Sequence, residues 1–443
     1  MIRRATGLRC RVCGAEVGIG TPLSWRCPNA SEADRHHVLA IVADGDVVDV
    51  EDHPNPFVAH RGALAWDAYA AALDMSVAER IEMVERVDAL VEQVAGTGFR
   101  WTPFARADEL SHALGFDRSG GVWVKDETLN VAGSHKARHL MTVLLHLLAA
   151  ERAGVTSWRH AADRPPLAIA SCGNAALAAA TLAAAVEWPI RVFVPPWAAA
   201  GVLDRLAALE AGIVVCPRRD DDPPGDPCVH RFRAAVAGGA VPFGVQGPEN
   251  GWCLDGGRTI GWEMVAQHRA HVGLDGSTLD RVLIQVGGGA FAACVGAALE
   301  SLDSSVSGRR PPRLDAVQTE GCAPLARAWN LADLDGGPGL ADAATQWEAL
   351  MWPWESEPHS AADGILDDET YDWLGVFAGM VATGGAPIVV SEVAVLDAHR
   401  LALAHTSIDV SATGSAGLAG LLTIREQIGS SENVAVVFSG VNR

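Results

Sequence analysis

Apolar residues recur along this chain in two rhythms. From 76 to 95 (SVAERIEMVERVDALVEQVA) they return every three or four positions, which predicts an amphipathic helix. Residues 51–100 as a whole read as mostly helical. Further on, short unbroken apolar runs take over. GVWVKDE predicts a strand at about 121–126, followed by a long apolar helix at about 136–151. LAIA (167–170), RVFV (191–194), Ile213–Cys216, RVLIQV (281–286) and AVVF (435–438) read as buried strands. Helical stretches separate them at 175–186, up to about Ala211 and after Gly289. Asp220–Asp222 and the prolines through Pro227 predict a loop. Strand and helix in alternation imply α/β layers with mainly parallel sheets, whose ligands sit at the carboxyl ends of the strands.

The longest uncharged apolar stretch, 168–186, is long enough to span a bilayer. Ser171-Cys172-Gly173-Asn174 interrupts it, so the expectation is a strand, a turn and a buried helix. No apolar stretch follows the arginines of MIRRATGLRC, and no signal peptide is expected. A length of 443 residues suggests two or three domains. The formal net charge of -20 repels nucleic acid and anionic membrane surfaces, which excludes both as partners. Nine scattered cysteines form no disulfide framework and fit a reducing cytoplasm.

Residues 1–50 form a small separate unit. Cys10 and Cys13 make one chelating knuckle, and Cys27 adds a third thiol. His36, or its neighbour His37, completes a tetrahedral Cys3His zinc site. The other reading is a knuckle that folds by its own packing.

Three segments share one design: an apolar strand, a Gly-bearing turn and a helix. They are 168–180, 282–299 and, less regularly, 122–145. A glycine turn lets the backbone approach an anion, and the helix N-terminus offers free N–H groups. Gly287-Gly288-Gly289-Ala290 is the best such phosphate cradle, and it matches neither nucleotide motif. Lys136 stands where a loop enters an apolar helix. Taken alone it reads either as a surface lysine at a helix start, the commoner case, or as one whose lost hydration lowers its pKa and frees the amine for imine formation.

Taken together these segments resemble the fold-type II pyridoxal phosphate (PLP) enzymes, the superfamily of tryptophan synthase β subunits, threonine synthases, serine/threonine dehydratases and cysteine synthases. The resemblance rests on Ser134-His135-Lys136, Ser171-Cys172-Gly173-Asn174, Gly287–Ala290 and Ser439-Gly440, in that order, and covers about 95–443. It implies two open, mainly parallel α/β domains behind a zinc-ribbon-like extension at 1–50. The large domain would comprise 51–135 and 245–443, and a smaller mobile one 136–244. It implies PLP as an imine on Lys136, which then moves protons. Asn174 would bond the phenolic oxygen, and Gly287, Gly288, Gly289 and Ala290 would hold the phosphate. Ser439 would face the ring nitrogen, a neutral partner suited to elimination and replacement. Ser171 and Gly173 would receive the substrate carboxylate. Relatives are commonly homodimers.

Within the superfamily the signals divide. Lys125-Asp-Glu127-Thr-Leu-Asn130, Trp101-Thr102-Pro103-Phe104 and the N-terminal cysteines look like threonine synthase, and offer Thr102 and Lys125 as substrate contacts. His135 before the lysine is more similar to tryptophan synthase β, where such an imidazole helps hold the phosphate. The Gly-Ala-Gly-Gln-His loop of that subunit is absent. Ser360-Ala-Ala-Asp363-Gly364-Ile365 and Val410–Ala416 look like the dehydratases. Cys172 is either an acid/base or a small residue that fits its turn. The expected activity is therefore elimination or replacement at the β or γ carbon of a hydroxy amino acid or its activated, for example phosphorylated, ester. A serine/threonine ammonia-lyase is the alternative, and a non-catalytic PLP-binding sensor or partner subunit is the alternative of another class. A substrate phosphate needs a basic partner, for which Lys125, Arg138 and Arg258 are the candidates.

Overall fold

A computed structural model describes residues 2–31, 33–223, 225–273, 277–302, 310–332 and 339–442. Two parallel sheets dominate it. The larger has six strands in the order Pro387–Val390, Arg313–Thr319, Arg281–Gln285, Asn433–Phe438, Gly121–Asp126 and Phe104–Arg106. All neighbours run parallel except the last pair. The smaller sheet has four parallel strands, in the order Gly212–Val215, Ile190–Val194, Leu167–Ala170 and Val241–Pro242. Helices cover both faces of the large sheet. This explains why Asn433–Phe438 is buried at every position rather than at every second one.

The apolar run at 168–186 divides as its central polar residues require. Leu167–Ala170 is strand and Asn174–Ala185 is a helix buried almost all round. Among the described residues no helix is long and apolar enough to cross a membrane.

Helix Val77–Ala95 buries Arg80, Met83, Val84, Val87, Asp88 and Val91, one stripe at helical spacing. Ser76 and Glu79 close a reciprocal capping box at its start, an arrangement worth about 1 kcal/mol. This helix packs on Asn174–Ala185. That second helix is alanine-rich, and Val77–Ala95 also touches Pro56–Ala59 and Ala65–Ala72.

The N-terminal unit is a three-stranded antiparallel sheet (Glu16–Gly18, Gly7–Cys10, Leu39–Val42) with a short pair, Ile2–Arg3 and Val47–Val48. Strands Arg313–Thr319 and Pro387–Val390 are not announced by the apolar pattern. Their polar members find partners only in the fold: Asp315 bonds Arg281, and Gln318 accepts from the N–H groups of Leu325 and Ala326.

Candidate active site

The main cleft opens where strands of both sheets end. Leu167–Ala170 runs into Ser171–Gly173, Arg281–Gln285 into Gly287–Gly289, and Asn433–Phe438 into Ser439. All of these turns line one cavity of about 450 Å³, together with His135 and Lys136. That volume is in the range of small-molecule sites. Residues far apart in sequence thus meet because parallel strands all present their carboxyl ends to the same side.

Lys136 is the first residue of helix Lys136–Arg152. Burial pushes its ammonium below the usual lysine range, while Asp367 and Asp372 pull the other way. The backbone N–H of His135 donates to Ser439 Oγ at 3.0 Å, and the His135 Nδ1 lies 2.6 Å from the same oxygen. Asn174 starts its helix, and its amide lies 2.8 Å from where a side chain on Gly440 would begin. Ser171 Oγ accepts from the Gly173 N–H at 3.4 Å. The Cys172 thiol is exposed to the cleft. Burial, Asp226, Asp363 and Asp367 raise its pKa, so it holds its proton at neutral pH.

The residues fit PLP on three counts. A Cβ on Gly287 would meet Asp367 Oδ2 at 2.4 Å, and Gly289 has a φ of 94°, so the turn accepts only glycine at close range. Helix Ala290–Glu300 begins there without a side-chain cap, leaving its first N–H groups open to an anion. His135 Nε2 and Ser134 Oγ are buried with no hydrogen-bond partner among the described residues. The His135 ring stacks on Phe291 in the first turn of that helix, with centroids 4.1 Å apart. An orphaned imidazole nitrogen beside an uncapped helix start suits a phosphate.

Two expected substrate contacts lie elsewhere. Lys125 is fully buried and pairs with Glu263 at 2.5 Å, and its ammonium also donates to the Thr102 carbonyl. Thr102 Oγ1 donates to Glu127. Arg138 bridges both glutamates, to Glu127 at 2.9 Å and Glu263 at 2.5 Å. Lys125 and Thr102 are therefore corrected from substrate contacts to members of a core ion network behind helix Lys136–Arg152. Arg258, the third phosphate candidate, is locked to Asp255 in the core.

The metal candidates change by one residue. Cys10, Cys13, Cys27 and His37 place their ligand atoms within 4.8 Å of one another. His36 instead stacks on Trp347, with centroids 4.0 Å apart. Of the two adjacent rings only His37 faces the thiols.

The sequence reading missed the acidic wall of the cleft. Asp226, Glu249 and Asp367 line it, as does Tyr371, whose ring lies 3.0 Å from where a Cβ on Gly288 would stand. Burial raises the Asp367 carboxyl to about 6. Asp367 and Tyr371 follow the Asp363-Gly364-Ile365 stretch directly, and that proximity was the available signal.

A cofactor cleft between two open parallel sheets defines a class of fold, and comparison with known proteins gives it a family. Residues 95–440 match the family model "Pyridoxal-phosphate dependent enzyme". The chain belongs to this family. Among solved structures it is similar to maize serine racemase (16% identity, TM-score 0.58, 81% of this chain and 93% of that one). It is similar to threonine deaminase isoform 2 from Solanum lycopersicum (18%, 0.58, 83% and 86%). It is also similar to diaminopropionate ammonia lyase from Escherichia coli, solved with an aminoacrylate–PLP azomethine intermediate (17%, 0.60, 82% and 89%). At these identities the likeness is one of fold. No curated protein matches the chain significantly.

Proposed function

We propose that this chain is a PLP-dependent lyase that removes the β substituent of a small amino acid, in the manner of an ammonia-lyase. The carrying observation is the charge of the cleft. Lys136 is the sole lysine or arginine among its described lining residues, against Asp226, Asp363 and Asp367; a fourth carboxylate, Glu249, is paired with Arg233 and Arg35. A phosphorylated ester of the threonine synthase kind would meet repulsion there, because the basic candidates Lys125, Arg138 and Arg258 are all held in buried ion pairs. A neutral hydroxyl or an amine on the β carbon suits the wall.

Bound PLP supplies an electron sink for the substrate's α carbon. The protein's own groups divide the remaining work. The Lys136 amine, disfavoured as a cation by burial, takes the α proton. The N–H groups of Ser171–Gly173 orient the substrate carboxylate, and Asn174 fixes the cofactor ring. Ser439 offers the ring nitrogen a neutral hydroxyl. Cys172, which keeps its proton, donates toward the departing group.

The test is a panel of L-serine, L-threonine, L-2,3-diaminopropionate and O-phospho-L-serine. Keto acid and ammonia are measured, and the visible band of the lysine-linked cofactor is followed. Free hydroxy or amino substrates should release both products. Preferred turnover of the phosphate ester would return the synthase reading. A band that no amino acid perturbs would leave a PLP-binding sensor.

A further inference from the structure

The N-terminal unit lies outside the region that the family model matches, yet its cysteines face one another. Cys10 Sγ is 3.3 Å from His37 Nδ1, and Cys13 Sγ is 3.6 Å from Cys27 Sγ. Tetrahedral zinc bonds of ordinary length require ligand separations of about 3.6 Å for S to N and about 3.8 Å for S to S. The surrounding groups are those of a thiolate site. Val12 N–H donates to Cys10 Sγ, Asn29 N–H to Cys27 Sγ, and the Asn29 side-chain amide to Cys13 Sγ. His37 Nε2 meets the Asp34 carboxylate at 3.1 Å, which fixes the ring with Nδ1 toward the thiols.

The same few residues also touch the cleft's wall. Gly251 N–H donates to the Trp25 carbonyl at 2.8 Å, and the Trp252 indole N–H to the Ser24 carbonyl at 3.1 Å. A Cβ on Gly251 would lie 2.8 Å from the Leu39 carbonyl, and one on Gly247 would lie 2.9 Å from Val38. Arg35 pairs with Glu249 at 3.7 Å. Arg11, between two of the cysteines, reaches inward until its Nε lies 3.9 Å from where a Cβ on Gly375 would begin, in the electrostatic reach of Glu300 and Asp372. Asp372 accepts from the Gly247 N–H at 3.1 Å, and its own N–H donates to the Gly288 carbonyl at 2.8 Å. Every one of these contacts begins within three residues of a candidate ligand, and they end on 247–252, on Glu300, or on Asp372, which bonds the glycine turn.

We propose that Cys10, Cys13, Cys27 and His37 bind one zinc ion, and that the metal-closed unit braces the 244–252 segment and, through Arg11 and Asp372, the glycine turn of the cofactor cleft. Zinc fixes the loop carrying Arg11, the turn carrying Ser24 and Trp25, and the strand entry carrying Val38 and Leu39. Without it the loop carrying Arg11 keeps its sheet bonds to Val38 and Leu39, but the turn carrying Ser24 and Trp25 loses its covalent link to them, and the wall loses its common support. Arg11 and Asp372 are positioning residues in this arrangement. The brace rests on the proposed function only in calling the cleft a cofactor site.

The experiment uses the full chain, and the same measurements are repeated in Lys136→Ala, which lacks the imine lysine. Metal analysis should find about one zinc per chain, lost in Cys13→Ser. Asp34→Ala, which keeps all four ligands, should weaken zinc binding by about tenfold or more. Cobalt exchange should give the absorption of a tetrahedral thiolate site. Less than about a tenth of a zinc per chain after growth with added zinc, or unchanged content in Cys13→Ser, overturns the metal site. Stripping the metal should speed amide hydrogen exchange across 244–252. Arg11→Ala should speed exchange at 287–289 with zinc still bound, and Arg11→Lys should restore part of that protection. Exchange that is unchanged on stripping overturns the brace. Because Lys136→Ala should behave as the parent in these measurements, a failure here is separable from a failure of the lyase assignment.

Discussion

Charges lie both behind Lys136 and in front of it, and the two sides are arranged oppositely. Behind it, Lys125, Arg138, Glu127 and Glu263 are buried without exposure, and each cation meets an anion. In front, Asp226, Asp363 and Asp367 face a single amine, Glu249 being paired with Arg233 and Arg35, and His135 Nε2 and Ser134 Oγ have no partner among the described residues. A balanced buried network holds a helix start in one place. An unbalanced one keeps groups available for something that arrives. The comparison teaches that burial alone does not mark a site; unsatisfied burial does.

The largest effect expected separates the two sides by function. Lys136→Ala should abolish the lysine-linked cofactor band and cut turnover by roughly a thousandfold, with little change in thermal stability. A band that survives would sink the assignment of this lysine. The matching change behind it is Arg138→Ala, which leaves buried Glu127 without its cation and Glu263 with Lys125 alone. It should destabilise the chain by about 3–5 kcal/mol in urea unfolding. A loss below about 1 kcal/mol would mean that water reaches the network.

A third test concerns pH. Asp367, raised to about 6 chiefly by burial, sits against Gly287 and Gly288, where a phosphate would bind. Its folded pKa is above the ordinary carboxylate value. Its contribution to stability is therefore present at low pH and lost as pH rises through about 6. Above that pH the new anion also repels a phosphate. Asp367→Asn should hold PLP more tightly than the parent by about fivefold at pH 8, with the difference closing by pH 5. A pH-independent ratio in equilibrium dialysis would refute this. The smallest effect lies far from both regions. Ser76→Ala should cost about 1 kcal/mol by opening the capping box, with PLP affinity unchanged.

How much of this was legible in the sequence depended on distance along the chain. The strand, glycine turn and helix at 281–300 are local, and apolar pattern with turn residues places them to within a residue or two. Lys136, Ser439 and the 171–174 turn were readable because each stands at the end of such a strand or at the start of a helix. Lys125 was misread because its strand looks half-exposed at its end, and Glu263, which neutralises it, comes 138 positions later. His36 and His37 were indistinguishable because side-chain direction belongs to the backbone and not to composition. The acidic wall was missed because Asp226, Glu249 and Asp367 come from three separate loops.

The junction between the N-terminal unit and Trp252 also bears on the order of assembly. Residues 10–37 hold all four candidate ligands, so this unit can close as soon as they leave the ribosome. Its bond from Trp252 to Ser24 spans 228 positions. A metal-closed nucleus would thus wait, already shaped, while the rest of the chain is still being synthesised, and would offer a finished surface for residues 244–252 to fold onto.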